Sequence, residues 1–161
     1  MSIATKAVTR AAPVGITLQI RPVQRADLGQ IIDLDAEVTG LKKNDYWYEL
    51  FHRYGTSRTY QRQFLVAESE GAIEGFIIGE VRDWEFGSPP CGWVFGISVR
   101  PGARLAGLGT RLLDAICQGF RQGGVNKVRT LIARDSALVL SFFRSQGMMA
   151  APIITLERTL N

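Results

Sequence analysis

At 161 residues, 46% hydrophobic and 21% charged, the chain has the make-up of one soluble domain with a sizeable core. Its net charge of +4 and pI near 9.4 suit an anionic ligand, while the absence of a dense Lys/Arg run with interleaved aromatics argues against nucleic acid. His52 is the only histidine, which argues against a His-based triad or multi-histidine metal site, and Cys91 and Cys117 form no CxxC or ligand cluster and read as reduced thiols of a cytoplasmic protein.

Residues 1–15 read as a flexible tail, with Lys6 and Arg10 but no apolar core long enough for a signal peptide. No later run is long enough to span a membrane. Ile16 to Arg21 reads as a strand closed by Pro22. A helix follows from about Asp27, with Leu28, Ile31, Ile32 and Val38 inward and Asp33, Asp35 and Glu37 mostly on a solvated face rather than around a metal. Gly40 ends it. Asn44-Asp45 starts a second helix that crowds Tyr46, Trp47, Leu50, Phe51 and Tyr54, with Trp47 and Phe51 expected in the core.

Phe64 to Glu68 and Ile73 to Phe86 read as a hairpin about Gly71, and after Gly87-Ser88-Pro89-Pro90 the run Trp93 to Val99 returns as a central strand. A loop with Pro101, Gly102, Gly107 and Gly109 leads to Leu108, Leu112, Leu113, Ile116 and Phe120 at helical spacing, ending at Gly123-Gly124. Lys127 to Ala133 reads as a strand. Ser136 is expected to cap a helix with Val139, Phe142 and Phe143 inward, closed by Gly147, and Ile153 to Leu156 reads as a last strand.

Strand, glycine-rich loop and helix together suit an anion, because the first N–H groups of a helix lack internal partners and lie at its positive end. There is no Gly-Lys-Ser/Thr, and Leu112 stands where a dinucleotide fingerprint needs its third glycine. Arg104-Leu105-Ala106-Gly107-Leu108-Gly109 instead resembles the Arg/Gln-x-x-Gly-x-Gly/Ala signature of the GNAT (GCN5-related) N-acetyltransferases. Val99-Arg100-Pro101 and the opening Ile20-Arg21-Pro22-Val23-Gln24-Arg25-Ala26-Asp27 are similar to the same family.

The resemblance implies a single GNAT domain over residues 16–161. Its fold is α/β (an α+β mixed sheet): a mostly antiparallel, twisted central sheet flanked by helices. It implies that Arg104, Leu105, Ala106, Gly107, Leu108, Gly109 and Thr110 hold the diphosphate of acetyl-coenzyme A, Arg104 helping to neutralise or position it. Backbone amides near Ile97, Ser98 and Val99, at a family bulge, would polarise the thioester carbonyl. Asp45, Tyr46, Trp47 and Glu49 would border the acceptor groove. A second family frame falls on Ser136, Phe143, Gly147 and Met148. There Ser136 replaces the Asn that holds the pantetheine arm, and Phe143 replaces a Tyr that protonates the departing thiolate.

Acetyl transfer to an amine needs a base to free the nitrogen. The central strand has no acid, so Glu80, Asp83 and Glu85 are the available carboxylates. Glu80, inside the long strand beside it, is the candidate base, against the competing reading of an outward-facing strand carboxylate. Ser98, Ser141, a tyrosine of the second helix or water are open as the acid. The resulting expectation is transfer of acetyl from acetyl-CoA to a primary amine (a protein N-terminus, a lysine or a small amine), without a metal or a membrane. Whether the chain forms a homodimer is left open. The alternative is an acyl-CoA-binding sensor or interaction module with little chemistry.

Overall fold

The computed structural model describes residues 17–57 and 59–160, so the expected tail over 1–15 lies outside the described residues. Strands β1 (Leu18–Pro22), β2 (Arg62–Ser69), β3 (Ala72–Arg82), β4 (Cys91–Val99) and β5 (Val128–Thr130) form one sheet in that spatial order. The first four are antiparallel, and β5 runs parallel to β4. The β2–β3 turn uses Glu70 (φ 52°) and Gly71 (φ 82°), the pair of left-handed residues that a tight hairpin requires.

Helices α1 (Leu28–Thr39) and α2 (Asn44–Leu50) cover one face. Their Leu28, Ile31, Leu34, Trp47 and Leu50 pack on Phe64, Val66, Phe76 and Ile78. Helix α3 (Leu108–Gln122), joined by α4 (Ala137–Ser145), covers the other. Leu108, Leu112, Leu113, Ile116 and Phe120, the five residues expected from the helical spacing, bury there with Phe143 against Ala67, Ile77 and Val94. Alternate residues of each strand therefore serve opposite cores.

α3 lies directly on the sheet backbone. A Cβ at Gly79 would stand 2.6 Å from the Trp93 carbonyl oxygen and 2.9 Å from the Phe120 ring, and one at Gly92 would stand 2.5 Å from that ring. The two glycines form a trough in which the helix sits.

On α1 the spacing Leu28, Ile31, Ile32 continues to Asp35, which is buried rather than on the solvated face expected for it. Asp35 accepts a hydrogen bond from Trp47 Nε1 at 3.0 Å and pairs with Lys43 Nζ at 2.9 Å, which ties α1 to α2. Val38 is 54% exposed, and Leu34 is buried in its stead. Asp33 pairs with Lys42 and Glu37 with Arg100, and among the described residues no group of acids, histidines and cysteines is arranged to hold a metal.

Asp27, also buried, receives Arg21 Nη1 at 2.7 Å and Nη2 at 2.9 Å, together with the Gln24 N–H at 2.7 Å. Burial opposes its ionisation, but the Arg21 and Gln24 hydrogen bonds outweigh it and hold the carboxyl below its ordinary range.

Five expectations are corrected. The long arm ends at Arg82, beyond which Trp84 (φ 52°) and Phe86 (φ 47°) turn the chain, and β5 is only Val128–Thr130. Ser136 stands at the N-cap of α4 without a capping side-chain hydrogen bond, and Val139 is 39% exposed. Residues 153–156 form no strand: Ile154 and Leu156 lie in the open, and the outer edge of three-residue β5 is left unpaired among the described residues.

Candidate active site

β4 and β5 pair only at Gly92↔Val128, Trp93↔Arg129 and Val94↔Thr130. At the next residue β4 slips register against β3, which passes from Gly79↔Val94 to Ile78↔Gly96 and leaves Phe95 unpaired. This is a β-bulge, two residues before the segment Ile97–Val99 where one was expected. It lets Val94 and Ile97, three apart, both face the α3 core, which strict alternation forbids. Past the bulge, β4 has no strand on its outer side among the described residues, so the polar backbone groups that point away from β3 open onto a wedge.

The glycine-rich loop stands at the end of β4. Residues Pro101–Ala106 form a 3-10 turn, and Gly107, at φ 68°, is the left-handed N-cap of α3. A Cβ on Gly109 would lie 3.0 Å from the Phe142 ring, so this glycine is a packing requirement between α3 and α4. No side chain caps α3, and its first amides are left for an outside acceptor. Arg104 is exposed, donates from Nε to the Val99 carbonyl oxygen at 3.2 Å, and has no carboxylate partner among the described residues. Thr110 is half-buried beside it in sequence. The side chains of Leu105 and Ala106 lie outside the described residues.

On the α2 face, the pairings Arg62↔Glu80, Glu80↔Trp93 and Trp93↔Arg129 set four side chains in one row across the sheet. Glu80 accepts from Tyr54 Oη at 2.9 Å and from Arg82 Nε at 3.1 Å, with 22% of its side chain exposed. It is therefore directed inward, not into solvent. Tyr54 belongs to a π-helical turn, Phe51–Gly55, that continues α2, and its ring lies 5.2 Å from that of bulge residue Phe95. Burial, followed by the hydrogen bond to Glu80, pushes the Tyr54 hydroxyl above its ordinary pKa. Tyr46, Glu49, Leu50, Arg53, Tyr54 and Phe95 line a cleft of about 160 Å³.

Bulge, parted strands and uncapped helix lie in one sequence order, and residues 28–148 match the family model described as Acetyltransferase (GNAT) family. The chain belongs to the GNAT acetyltransferase family. Among curated proteins it is 32% identical over 87 residues to a mycothiol acetyltransferase of Saccharomonospora viridis, covering 52% of this chain and 28% of that protein. It is 29% identical over 128 residues to an L-2,4-diaminobutyric acid acetyltransferase of Nocardia farcinica, covering 79% and 62%. The chain thus spans less than two thirds of either relative. Two solved structures share the GNAT fold. The aminoglycoside N-acetyltransferase AAC(6')-Iy in complex with CoA superposes with a TM-score of 0.80 at 18% identity, over 92% of this chain and 99% of that one. AAC(6')-Ih of Acinetobacter baumannii superposes at 0.75 and 16%, over 90% and 100%.

Within this GNAT domain, Ile97 and Ser98 are half-buried and Val99 buried on the wedge strand, and Leu108 is core. Ser136 is half-buried at the start of α4, whereas Phe143 is 3% exposed, packed among the α3 residues. Of the four acceptor candidates, Trp47 is taken up by the core and by Asp35, while Asp45, Tyr46 and Glu49 are exposed. Sequence reasoning did not single out Phe95, Arg129 or, by itself, Tyr54. Their roles depend on the bulge and on cross-strand register, which carry no local sequence mark. Cys91 and Cys117 are free, and burial raises both thiol pKa values, which makes them poor nucleophiles.

Proposed function

We propose that the protein is an N-acetyltransferase of the cytoplasm that moves the acetyl group of acetyl-CoA to a primary amine. The observation that carries this reading is the opening of β4 from β5 at bulge residue Phe95, with Glu80 and Tyr54 beside it and the uncapped start of α3 at its far end. The donor set fits coenzyme A: free helix amides after Gly107 and the unpaired Arg104 suit a diphosphate, and outward backbone groups of Ile97–Val99 suit an amide-bearing arm. The Ser136 hydroxyl, unused as a cap, is available to that arm. Acetyl-CoA supplies the acetyl group as an activated thioester.

Glu80 receives the proton of the incoming ammonium, directly or through water, so that the nitrogen lone pair is free to attack. Tyr54 fixes the carboxylate by its hydrogen bond and acts as a positioning residue. Wedge-facing N–H groups of β4 stabilise charge developing on the carbonyl oxygen. Phe143 offers no proton, so water protonates the departing thiolate.

The acceptor reading is supported by the relative named an L-2,4-diaminobutyric acid acetyltransferase, whose named substrate carries two amines. A homodimer is part of the reading, supported by the exposed apolar side chains Met149, Ile153, Ile154, Leu156 and Leu160.

Free-thiol release from acetyl-CoA over a panel of amines tests the activity. Turnover is expected with at least one amine, and E80Q is expected to lower kcat by about 10²-fold or more. The buried Phe143 favours a second reading, a binding module with little chemistry. That reading predicts heat on titration with CoA but no thiol release with any amine.

A further inference from the structure

The row across the α2 face holds more positive charge than the fold uses. Arg82 is paired with Glu80, but neither Arg62 nor Arg129 has a carboxylate partner among the described residues. Arg62 lies over the Tyr54 ring at 5.9 Å. Arg129 is held more tightly: its guanidinium lies 5.9 Å from the Trp93 ring, Nη1 donates to Ser88 Oγ at 3.2 Å, and Nε is buried without an acceptor. A buried donor left unsatisfied is unusual, and a half-buried guanidinium without a counter-charge is unfavourable on its own. The fold carries this to hold a planar cation one strand from Trp93 and two from Glu80, which at strand spacings is about 10 Å from the base.

Building on the acetyltransferase reading above, we infer that Arg129 is the carboxylate-binding residue of the acceptor site, so that the acceptor is an amine that also carries a carboxylate, of the amino-acid type. The amine end lies at Glu80 and the carboxylate end meets the outer edge of the guanidinium, whose geometry matches two carboxylate oxygens. Trp93 stands between Glu80 and Arg129, its buried ring covered by the Arg82 guanidinium at 4.8 Å, and sets the distance that the carbon chain joining amine and carboxylate must span. An Arg in this place selects against polyamines, which would bring a second cation to it.

The test uses acceptor pairs that differ by the carboxylate alone: 2,4-diaminobutyrate against 1,3-diaminopropane, and lysine against 1,5-diaminopentane. In the thiol-release assay the wild-type protein is expected to favour a carboxylate-bearing member by about tenfold or more in kcat/KM. R129Q is expected to raise KM for that member with little change in kcat and to erase the preference, and R129K to recover part of it. Equal use of both members by wild type, or a parallel loss on both in R129Q, overturns the inference while leaving the acetyltransferase reading intact. Absence of thiol release with every amine overturns the acetyltransferase reading instead. In that event calorimetry of the CoA-saturated protein with the same pairs decides: binding of the carboxylate member that R129Q abolishes upholds the site, and no difference between members removes it. If R129Q does not fold, the wild-type pairs and R129K still decide.

Discussion

Tyr54 makes two contacts of different kinds, an aromatic one to Phe95 and a hydrogen bond to Glu80. Because burial and the neighbouring carboxylate both raise its pKa, the hydroxyl stays protonated and keeps donating through neutral and mildly alkaline pH. Tyr54→Phe separates the two contacts. The ring pair survives, so stability is expected to fall by only about 0.5–1.5 kcal/mol, the worth of one hydrogen bond. The larger effect is expected on kcat, with KM for acetyl-CoA unchanged. A loss confined to melting temperature would reduce Tyr54 to a packing role. Glu80 itself was legible in the sequence as a strand carboxylate in the right neighbourhood. Its inward direction was not, because that depends on a hydroxyl 26 positions earlier. Arg129 was less legible still: nothing near Val128 to Thr130 marks it, and it acquires meaning only from its partner in β4.

Among the elements, α3 was read almost without error, since five apolar residues at helical period, an N-terminal glycine and a C-terminal glycine pair all agree. The bulge was expected from the resemblance near Ile97–Val99, but its place at Phe95 escaped because Trp93 to Val99 is a nearly continuous apolar run, which reads the same wherever the extra residue falls. The last expected strand failed for a different reason, since the four residues Ile153 to Leu156 do not reveal whether the chain returns to an edge where they could pair. The joint between β1 and α1 also rests on a pair too far apart in sequence to be read as one: Arg21 closes on Asp27 from one side and reaches Glu68 Oε2 at 2.7 Å on the other. Asp27→Asn leaves that guanidinium half-paired and is expected to cost about 2–4 kcal/mol in chemical unfolding. The pH dependence has a definite sign. The folded-state pKa of Asp27 lies below its unfolded value, so its stabilisation is complete above the ordinary carboxylate range and is lost as pH falls through the depressed value. Asp27→Asn should therefore flatten the acid limb of the stability profile and leave its neutral-to-alkaline side parallel to wild type.

For the molecule as a whole, the two cores are separated by the sheet, and the proposed reaction zone lies where the sheet itself divides. The resemblance at the glycine-rich loop conveyed this arrangement because loop, strand and helix form one contiguous stretch of chain. The proposed acceptor side is assembled from α2, β3, β4 and β5, which only folding brings together, and so the sequence offered its α2 residues and Glu80 but not their β4 and β5 partners. Beyond α4 the chain has no helix or strand through residue 160 and carries apolar side chains in the open. In a protein of this size such surface favours association, and sedimentation over a hundredfold range of concentration is expected to show a dimer that dissociates on dilution. A single monomeric species throughout would contradict it. Among the described residues no helix is long and apolar enough to cross a membrane.

The glycine trough beneath α3 makes the domain a gauge. Since the sheet's backbone, not adjustable side chains, meets the helix at Gly79 and Gly92, the span from the proposed diphosphate grip to the notch at Phe95 is set by rigid parts. A methyl at Gly79 would have to wedge helix from sheet, at about 1–3 kcal/mol for an overpacked core. The more telling result is expected in the choice of acyl carrier. Gly79→Ala should accept acetyl-CoA and the truncated carrier acetyl-pantetheine with less distinction than wild type, because the calibrated length between anchor and reacting carbon will have slipped.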